Sequence, residues 1–504
     1  MRFDIVINML KVVDDFLNGI TMYRLILYLL IFLLLVAEFL SFFKVLPFDP
    51  VALFLSATFL TVVCWVTNTA FAKVFKVQTN LESVYITALI LSLIMTPFRT
   101  YQDLFLLGLV AVLSQTGKYI LAINRKHIFN PATLAVVVTS LALGRSASWW
   151  VGTSWMVPFT AIGGVLIIRK IKRFDMVFAF FAVALAVILG SSVLRGNDLL
   201  LTTQKIILDT PILFFVFVML TEPLTTPPTK KWQTVYGGLV GLLFAPLVHI
   251  GTFYFTPETA LLTGNIFSYI VSPKERLLLN LKEKIQIAPD IYDFIFNLEK
   301  KFAFLPGQYL EWTLSHPHPD SRGVRRYFTI AASPLEKDLR IGVKFYPGGS
   351  SFKRSLLQFQ SGDQIVASQL AGEFTLPKDP GKKLCFIAGG IGITPFRSMV
   401  KYLLDTGMKM DITLLYSNKT AQDIAYKEIF NGAFQKLGIK TVYVNTDTMG
   451  YIDAAMVRMK VPDFDERIFY VSGPHNMIDA FEKTLKEMGI SRKQIKVDFF
   501  PGYA

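Results

Sequence analysis

Residues Ala388–Pro395 read AGGIGITP, directly behind the apolar run Leu384–Ile387 and ahead of an amphipathic stretch. Glycines after a strand let a backbone come close to a diphosphate, and the N-terminus of the following helix then holds the charge. Gly389, Gly390, Gly392, Thr394 and Pro395 are therefore candidate residues for binding a dinucleotide. Downstream, the apolar segments Ile412–Tyr416, Val442–Asn445, Phe469–Ser472 and Ile495–Phe499 alternate with amphipathic stretches. Strands alternating with helices predict βαβ units and a parallel sheet over residues 381–504.

Upstream the period is two. Ile285 and Ile287, then Tyr292, Phe294, Phe296 and Leu298, alternate with polar residues, and turns follow at Pro306-Gly307 and Pro347–Gly349. This pattern predicts a small antiparallel β-barrel over residues 273–380. Two stretches in it carry chemistry. Arg326–Thr329 reads RYFT: an arginine fork suits phosphate oxygens, an aromatic ring can stack on an isoalloxazine, and a hydroxyl can reach its N5. Gly348–Phe352 reads GGSSF, a glycine turn whose Gly349, Ser350 and Ser351 offer a second phosphate contact. His316 and His318, in SHPHPD, read as a proline-rich loop, and no metal site is expected.

In this order the pieces resemble the ferredoxin–NADP reductase family over about 225 residues: GQY at Gly307–Tyr309, Arg326–Thr329, the GGSS turn, GGIGITP, then SGP at Ser472–Pro474. The resemblance implies FAD and NAD(P)H as cofactors. It implies that Arg326 grips the flavin phosphate, Tyr327 packs on the ring beside Phe328, and Thr329 bonds near N5. Ser350 and Ser351 would touch the FAD diphosphate, the glycine loop and Thr394 would hold the dinucleotide, and Ser417 and Lys419 would sit at the adenosine ribose. Gly473 and Pro474 follow Ser472, which stands where many members have cysteine beside the nicotinamide. Phe499 or Phe500 would approach the flavin. Tyr327, Thr329 and Ser472 are thus the expected catalytic residues.

The N-terminal half is of another kind. The chain has 504 residues, 53% hydrophobic and 17% charged, and the apolar excess lies between Tyr23 and about Ile270. Ten apolar runs, near 23–43, 51–72, 83–96, 103–120, 129–143, 155–168, 175–194, 206–221, 235–250 and 257–272, predict a polytopic α-helical membrane domain of about ten helices over residues 1–272. Alternate loops carry eleven positive charges (Lys73, Lys76, Lys118, Arg125, Lys126, Arg169, Lys170, Lys172, Arg173, Lys230, Lys231) against five (Lys44, Arg99, Arg145, Arg195, Lys205). By the positive-inside rule both termini, and everything after Lys274, are expected on the cytoplasmic side of the cell membrane. Topology and anionic lipid account for the net charge of +14, so nucleic acid is not an expected partner. Cys64 and Cys385 are too few for a four-cysteine iron–sulfur cluster or a disulfide framework. His127 and His249 are expected at opposite faces, which excludes a shared haem iron.

Two membrane segments stand out: KHIFNPATLA at Lys126–Ala135, and MLTEPLTTPPTKKWQTVYGGLVG at Met219–Gly241. HIFNPA, the turn Thr221–Pro223 and Tyr236-Gly237 resemble RnfD/NqrB membrane electron-transfer subunits, which implies an electron conduit carrying flavin. That family's flavin-bearing Gly-Ala-Thr segment is missing. The corresponding loop, Gly144–Ser154, reads GRSASWWVGTS, so a second flavin (FMN or riboflavin) is expected to be non-covalent. The whole reads as an FAD-dependent NAD(P)H oxidoreductase passing electrons to a membrane quinone or an extracytoplasmic redox protein. Two alternatives stand beside it. One is a membrane-anchored reductase of a soluble acceptor. The other is a redox-driven Na⁺ or H⁺ transporter, with Glu38 and Asp209 as its intramembrane carboxylates.

Overall fold

The computed structural model describes residues 12–14, 16–17, 19–75, 81–123, 126–272, 276–320 and 322–498. Lys76, Arg125, Lys274, Phe499 and Phe500, and the side chain of Lys126, lie outside the described residues. The chain forms two compact units that meet in sequence at Arg276 and Leu277.

The first unit is helical. Its helices are α1 (Met22–Phe42), α2 (Pro50–Phe75), α3 (Leu81–Ile94), α4 (Tyr101–Ile120), α5 (Pro131–Leu143), α6 (Val157–Ile171), α7 (Phe174–Leu194), α8 (Leu199–Leu208), α9 (Ile212–Leu220), α10 (Lys230–Phe244) and α11 (Pro257–Val271). Local chemistry sets many of the starts. Thr100 and Thr256 close capping boxes, and Asn130 and Asp198 accept backbone N–H groups. Each such cap is worth ~1 kcal/mol.

Every one of the ten apolar runs carries helix, but fewer than ten of these helices have the length of a full span. Among the described residues four helices, α1, α2, α4 and α7, are long and apolar enough to cross a membrane, or five if α8 and α9, bent by 61°, count as one. The reason is length. The remaining five have 13 to 15 residues; at ~1.5 Å per residue they reach only ~20–22 Å, short of a ~30 Å hydrocarbon core.

The second unit holds two sheets. The first comprises β1 (Leu277–Ala288), β2 (Ile291–Asn297), β3 (Tyr309–Thr313), β4 (Arg325–Thr329), β5 (Leu339–Lys344) and β6 (Gln364–Ala371), with helix α12 (Ser351–Leu357) before the last. Its order is β4-β3-β6-β1-β2-β5, with antiparallel neighbours throughout. Just past β4, Ala331 N–H donates to Arg340 O on β5 (2.8 Å), which joins the two edges. Trp312, Phe294, Phe296 and Phe352 fill the interior; each buried side chain contributes ~1.5–3 kcal/mol.

The second sheet comprises β7 (Leu384–Gly389), β8 (Ile412–Asn418), β9 (Lys440–Asn445), β10 (Ile468–Ser472) and β11 (Ile495–Val497), with α13 (Thr394–Thr406), α14 (Lys427–Leu437) and α15 (His475–Glu487) in the connections. All pairs are parallel, in the order β9-β8-β7-β10-β11. β7 is buried along its whole length, as a strand covered on both faces must be.

In the helical unit α10 packs on α7 through Gly237 and Gly241, four residues apart. A Cβ at Gly237 would stand 2.2 Å from Met176 O, and one at Gly241 2.5 Å from Phe180 O, whereas at Gly238 the nearest atom is Val183 Cγ2 at 3.6 Å. Small residues at this spacing let two backbones meet. Gly241→Ala should therefore cost ~1–3 kcal/mol by overpacking. Gly238→Ala should be neutral or gain up to ~1 kcal/mol from helix propensity. Thermal melts of the detergent-purified variants would show the opposite signs.

Candidate functional site

The order of the parallel sheet reverses between β7 and β10, and the crevice at the carboxyl ends of such a pair is where open α/β sheets bind ligands. The glycine loop leaves β7 there, and Ser472–Pro474 leaves β10 beside it, with Ala388 paired to Ser472. The approach tolerates no side chain: a Cβ on Gly392 would lie 2.5 Å from Ser472 O, and one on Gly389 would lie 2.3 Å from Met477 Sδ. Gly390 has φ +52°, a conformation that favours glycine. Thr394 opens α13 with Pro395 in its first turn. Ser417 pairs with Gly389 across the sheet, and Lys419 follows the end of β8. The sheet thus brings the expected dinucleotide residues to one edge.

Sequence reading passed over Asp498. Its carboxylate accepts the Ser472 hydroxyl (Oδ2, 3.1 Å), and both groups are buried. A lone acid 26 residues away in sequence gave no signal; only β11, pairing beside β10, brings it in.

In the barrel, strand alternation divides RYFT between two faces. Arg326 and Phe328 share the inner face. There the Arg326 guanidinium lies 5.2 Å over the Phe352 ring and donates to Arg322 O (2.8 Å). Tyr327 and Thr329 share the other face with Tyr309, whose ring meets that of Tyr327 edge-on at 5.7 Å. Arg325, also passed over, is on this second face. It pairs with Glu311 at 3.3 Å, and the Tyr327 hydroxyl donates to the same carboxylate (2.8 Å). The two-residue alternation was the signal that could have separated Arg325 from Arg326.

The GGSSF turn meets the SHPHPD loop. Ser350 Oγ caps α12 by accepting Lys353 N–H (3.3 Å). Ser351 Oγ lies 2.8 Å from His316 Nε2 and accepts Asp320 N–H (2.9 Å), while Asp320 Oδ2 accepts Ser351 N–H (2.8 Å) and pairs with Arg322. Burial raises the Asp320 carboxyl, but those hydrogen bonds and Arg322 outweigh it and hold it at about 2. Lys353 is pushed down to about 8, first by burial and then by Arg326 and Arg322. Three cations against one carboxylate leave this corner positive by two, which fits the diphosphate of a dinucleotide flavin.

In the helical unit the two marked segments come together. Asn130 Nδ2 donates to Glu222 Oε2 (2.8 Å), Asn130 N–H donates to Asn265 Oδ1 (2.9 Å), and Asn265 Nδ2 donates to the Tyr236 hydroxyl (3.2 Å). Thr225 Oγ1 donates to Glu222 (3.2 Å), and Arg173 donates to Thr221 O (3.3 Å). Asn130, Tyr236 and Asn265 are buried. Asn265 was not singled out from the sequence, while Glu222 was marked only as part of the Thr221–Pro223 turn and Arg173 only as a loop charge. Glu38 and Asp209 lie apart from this cluster; Asp209 is the exposed C-cap of α8.

Comparison with known proteins agrees with this geometry. A family model for the oxidoreductase FAD-binding domain matches residues 278–375, and one for the oxidoreductase NAD-binding domain matches residues 386–483. The C-terminal half thus carries an FAD-binding and an NAD-binding oxidoreductase domain. This oxidoreductase half is 26% identical over 230 residues to the glycine betaine monooxygenase reductase subunit of Chromohalobacter salexigens, covering 43% of this chain and 62% of that protein. It is 30% identical over 237 residues to the flavohemoprotein of Candida albicans (44% and 58%), and 25% identical over 211 residues to the NADH oxidoreductase HCR of Escherichia coli (41% and 63%). The chain therefore spans about six-tenths of the length of these curated relatives. Among solved structures, the cytochrome b5 reductase domain of Ulva prolifera nitrate reductase superposes with a TM-score of 0.40 at 24% identity, covering 45% of this chain and 98% of that one.

Lys353 gives the oxidoreductase half a pH signature. A bound diphosphate favours the charged ammonium and raises its pKa, so above about 8 flavin binding takes up a proton. FAD affinity should be flat below pH 8 and weaken above it, by up to ~tenfold per pH unit until the raised pKa is reached. Fluorescence titration of the flavin-stripped protein between pH 6.5 and 9.5 measures the slope, and Lys353→Met should abolish it.

Proposed function

We propose that the chain is a membrane-bound flavoenzyme. It oxidises cytoplasmic NAD(P)H through FAD and passes the electrons into or across the bilayer, to a quinone or an extracytoplasmic redox protein. The observation that carries the redox part is the crevice at the β7–β10 reversal, with the cationic corner and the Tyr327 face supplied by the barrel. FAD, when bound, accepts a hydride and gives its electrons up singly, which nicotinamide does not. The protein supplies the positions. Gly389, Gly390, Gly392 and Thr394 admit the dinucleotide diphosphate, and Ser417 and Lys419 stand at its ribose. Arg326, with Lys353 and the Ser350-Ser351 turn, holds the flavin diphosphate. Tyr327 and Thr329, joined by Arg325, face the ring. Ser472, flanked by Gly473 and Pro474 and bonded to Asp498, lines the nicotinamide end.

The membrane part of the reading has its own support: four or five helices long enough to span, and the resemblance of residues 20–270 to RnfD/NqrB subunits. Residues 1–272 would be a multi-pass domain of the cell membrane with both termini cytoplasmic, followed by the flavin domain (273–380) and the nucleotide domain (381–504). The cluster of buried Asn130, Tyr236 and Asn265 with half-buried Glu222 would supply donors and acceptors for a second, non-covalent flavin or a quinone headgroup. A second reading, an anchored reductase of a soluble acceptor, draws on relatives whose names mark them as reductase subunits of monooxygenases.

Flavin content decides between them. Acid extraction of the detergent-purified protein, paired with NADH and NADPH bleaching, should yield two flavins per chain, both bleached by one nucleotide. One flavin would reduce the helical half to an anchor or a quinone site. No flavin would overturn the reading.

A further inference from the structure

The two flanks of the redox crevice are tied by a part-buried ionic network that neither cofactor site uses. Arg397 lies on α13, three residues past Thr394, and is 3% exposed. Its guanidinium donates to Ala331 O (2.8 Å), two residues past Thr329, and grips both oxygens of Glu336, one at 2.9 Å. The next residue, Ser398, donates to Ala332 O (2.6 Å). Glu336 also meets Arg340 (3.5 Å), Arg340 pairs with Asp293 (2.8 Å), and Asp293 accepts the hydroxyl of Tyr426 (2.9 Å). The Tyr426 ring lies 5.5 Å from the Arg397 guanidinium, which closes the circuit. Ala331, Glu336, Arg340 and Asp293 belong to the barrel; Arg397 and Tyr426 belong to the nucleotide domain.

Adhesion between the two domains does not need these charges. Ala288 and Ile291 of the barrel already pack into the same apolar cluster as Ile393 and Phe396. Burying ion pairs where apolar contact suffices is a poor source of stability, because desolvation offsets the attraction. What a bidentate arginine adds is direction: its planar fork accepts one orientation of the carboxylate. Its anchors lie two residues beyond the strand that faces the flavin ring and three beyond the loop that receives the dinucleotide. An error of ~1 Å in how a donor meets its acceptor costs ~10²-fold in rate.

We propose that Arg397 is a positioning residue for hydride transfer. Clamped to Glu336 and Ala331, it sets where the dinucleotide-binding helix stands against the flavin strand, and Tyr426 and Asp293 hold the clamp from the far side. The inference rests on the NAD(P)H-to-FAD reading above.

Glu336→Gln removes the charge and keeps the shape, and Tyr426→Phe removes a single hydrogen bond. Both are tested in the full-length, flavin-loaded protein by stopped-flow bleaching at saturating nucleotide, alongside the long-wavelength charge-transfer band of stacked nicotinamide and flavin. Glu336→Gln should lower the bleaching rate per bound flavin 10- to 100-fold and weaken the band, with nucleotide Kd changed less than about threefold. Tyr426→Phe should move both the same way by a few-fold, and it decides the matter if Glu336→Gln does not fold. An unchanged rate per bound flavin and an unchanged band, with only melting temperature or flavin content lowered, would overturn the clamp. Failure of the unmodified protein to bleach would sink the functional reading instead, so the two failures are told apart.

Discussion

The oxidoreductase half depends on one close approach, where the backbone of Gly392 lies against Ser472 and Gly473 with no room for a Cβ. The reversal of strand order puts those two loops side by side. In the function proposed above, that contact is what would carry a dinucleotide from the glycine loop to Ser472. β7, buried on both faces, and β11, which brings Asp498 to the Ser472 hydroxyl, hold that contact. A branched side chain at position 392 would separate the loops and the cofactor ends together, which ties a packing constraint directly to the redox geometry.

The crevice is built from contacts of different range, and range governs what the sequence reveals. AGGIGITP, the GGSS turn and the strand alternation are local and are legible residue by residue. The division of RYFT between two faces was also legible, since a period of two places Arg325 with Tyr327 and Arg326 with Phe328. Reading the motif as a unit hid it. Asp498 and Arg397 were not legible, because nothing local marks a lone acid near a chain end or an arginine on an amphipathic helix. Their partners are 26 and 61 residues away, and only the folded sheet order supplies them.

The helical half shows the same division. Apolar composition placed helix in all ten runs, because burying or solvating apolar side chains depends on nothing beyond the segment itself, and it missed the start of α8 at Leu199. Hydropathy does not encode length after a break. The 61° bend between α8 and α9, the 13-residue α5 behind its Asn130-Pro131 cap, and the 15-residue α10 and α11 are set by caps, prolines and tertiary polar contacts. Those same interruptions are where Asn130, Glu222, Tyr236 and Asn265 meet. Helices that stop short leave polar backbone ends inside the protein. Such ends persist only where side chains satisfy them or a cavity admits a polar guest.

Both halves thus put their polar chemistry where regular structure is interrupted. In the oxidoreductase half the interruption is the loop between strand and helix, stabilised by a glycine's missing side chain. In the helical half it is the end of a short helix, stabilised by an asparagine that caps its own helix and reaches Glu222 across 92 residues of sequence. Glu222 Oε2 accepts from both Asn130 and Thr225, so the carboxylate ties the capped start of one helix to the turn that carries it. The Asn130–Glu222 bond thus links the segments Lys126–Ala135 and Met219–Gly241 across the helical unit.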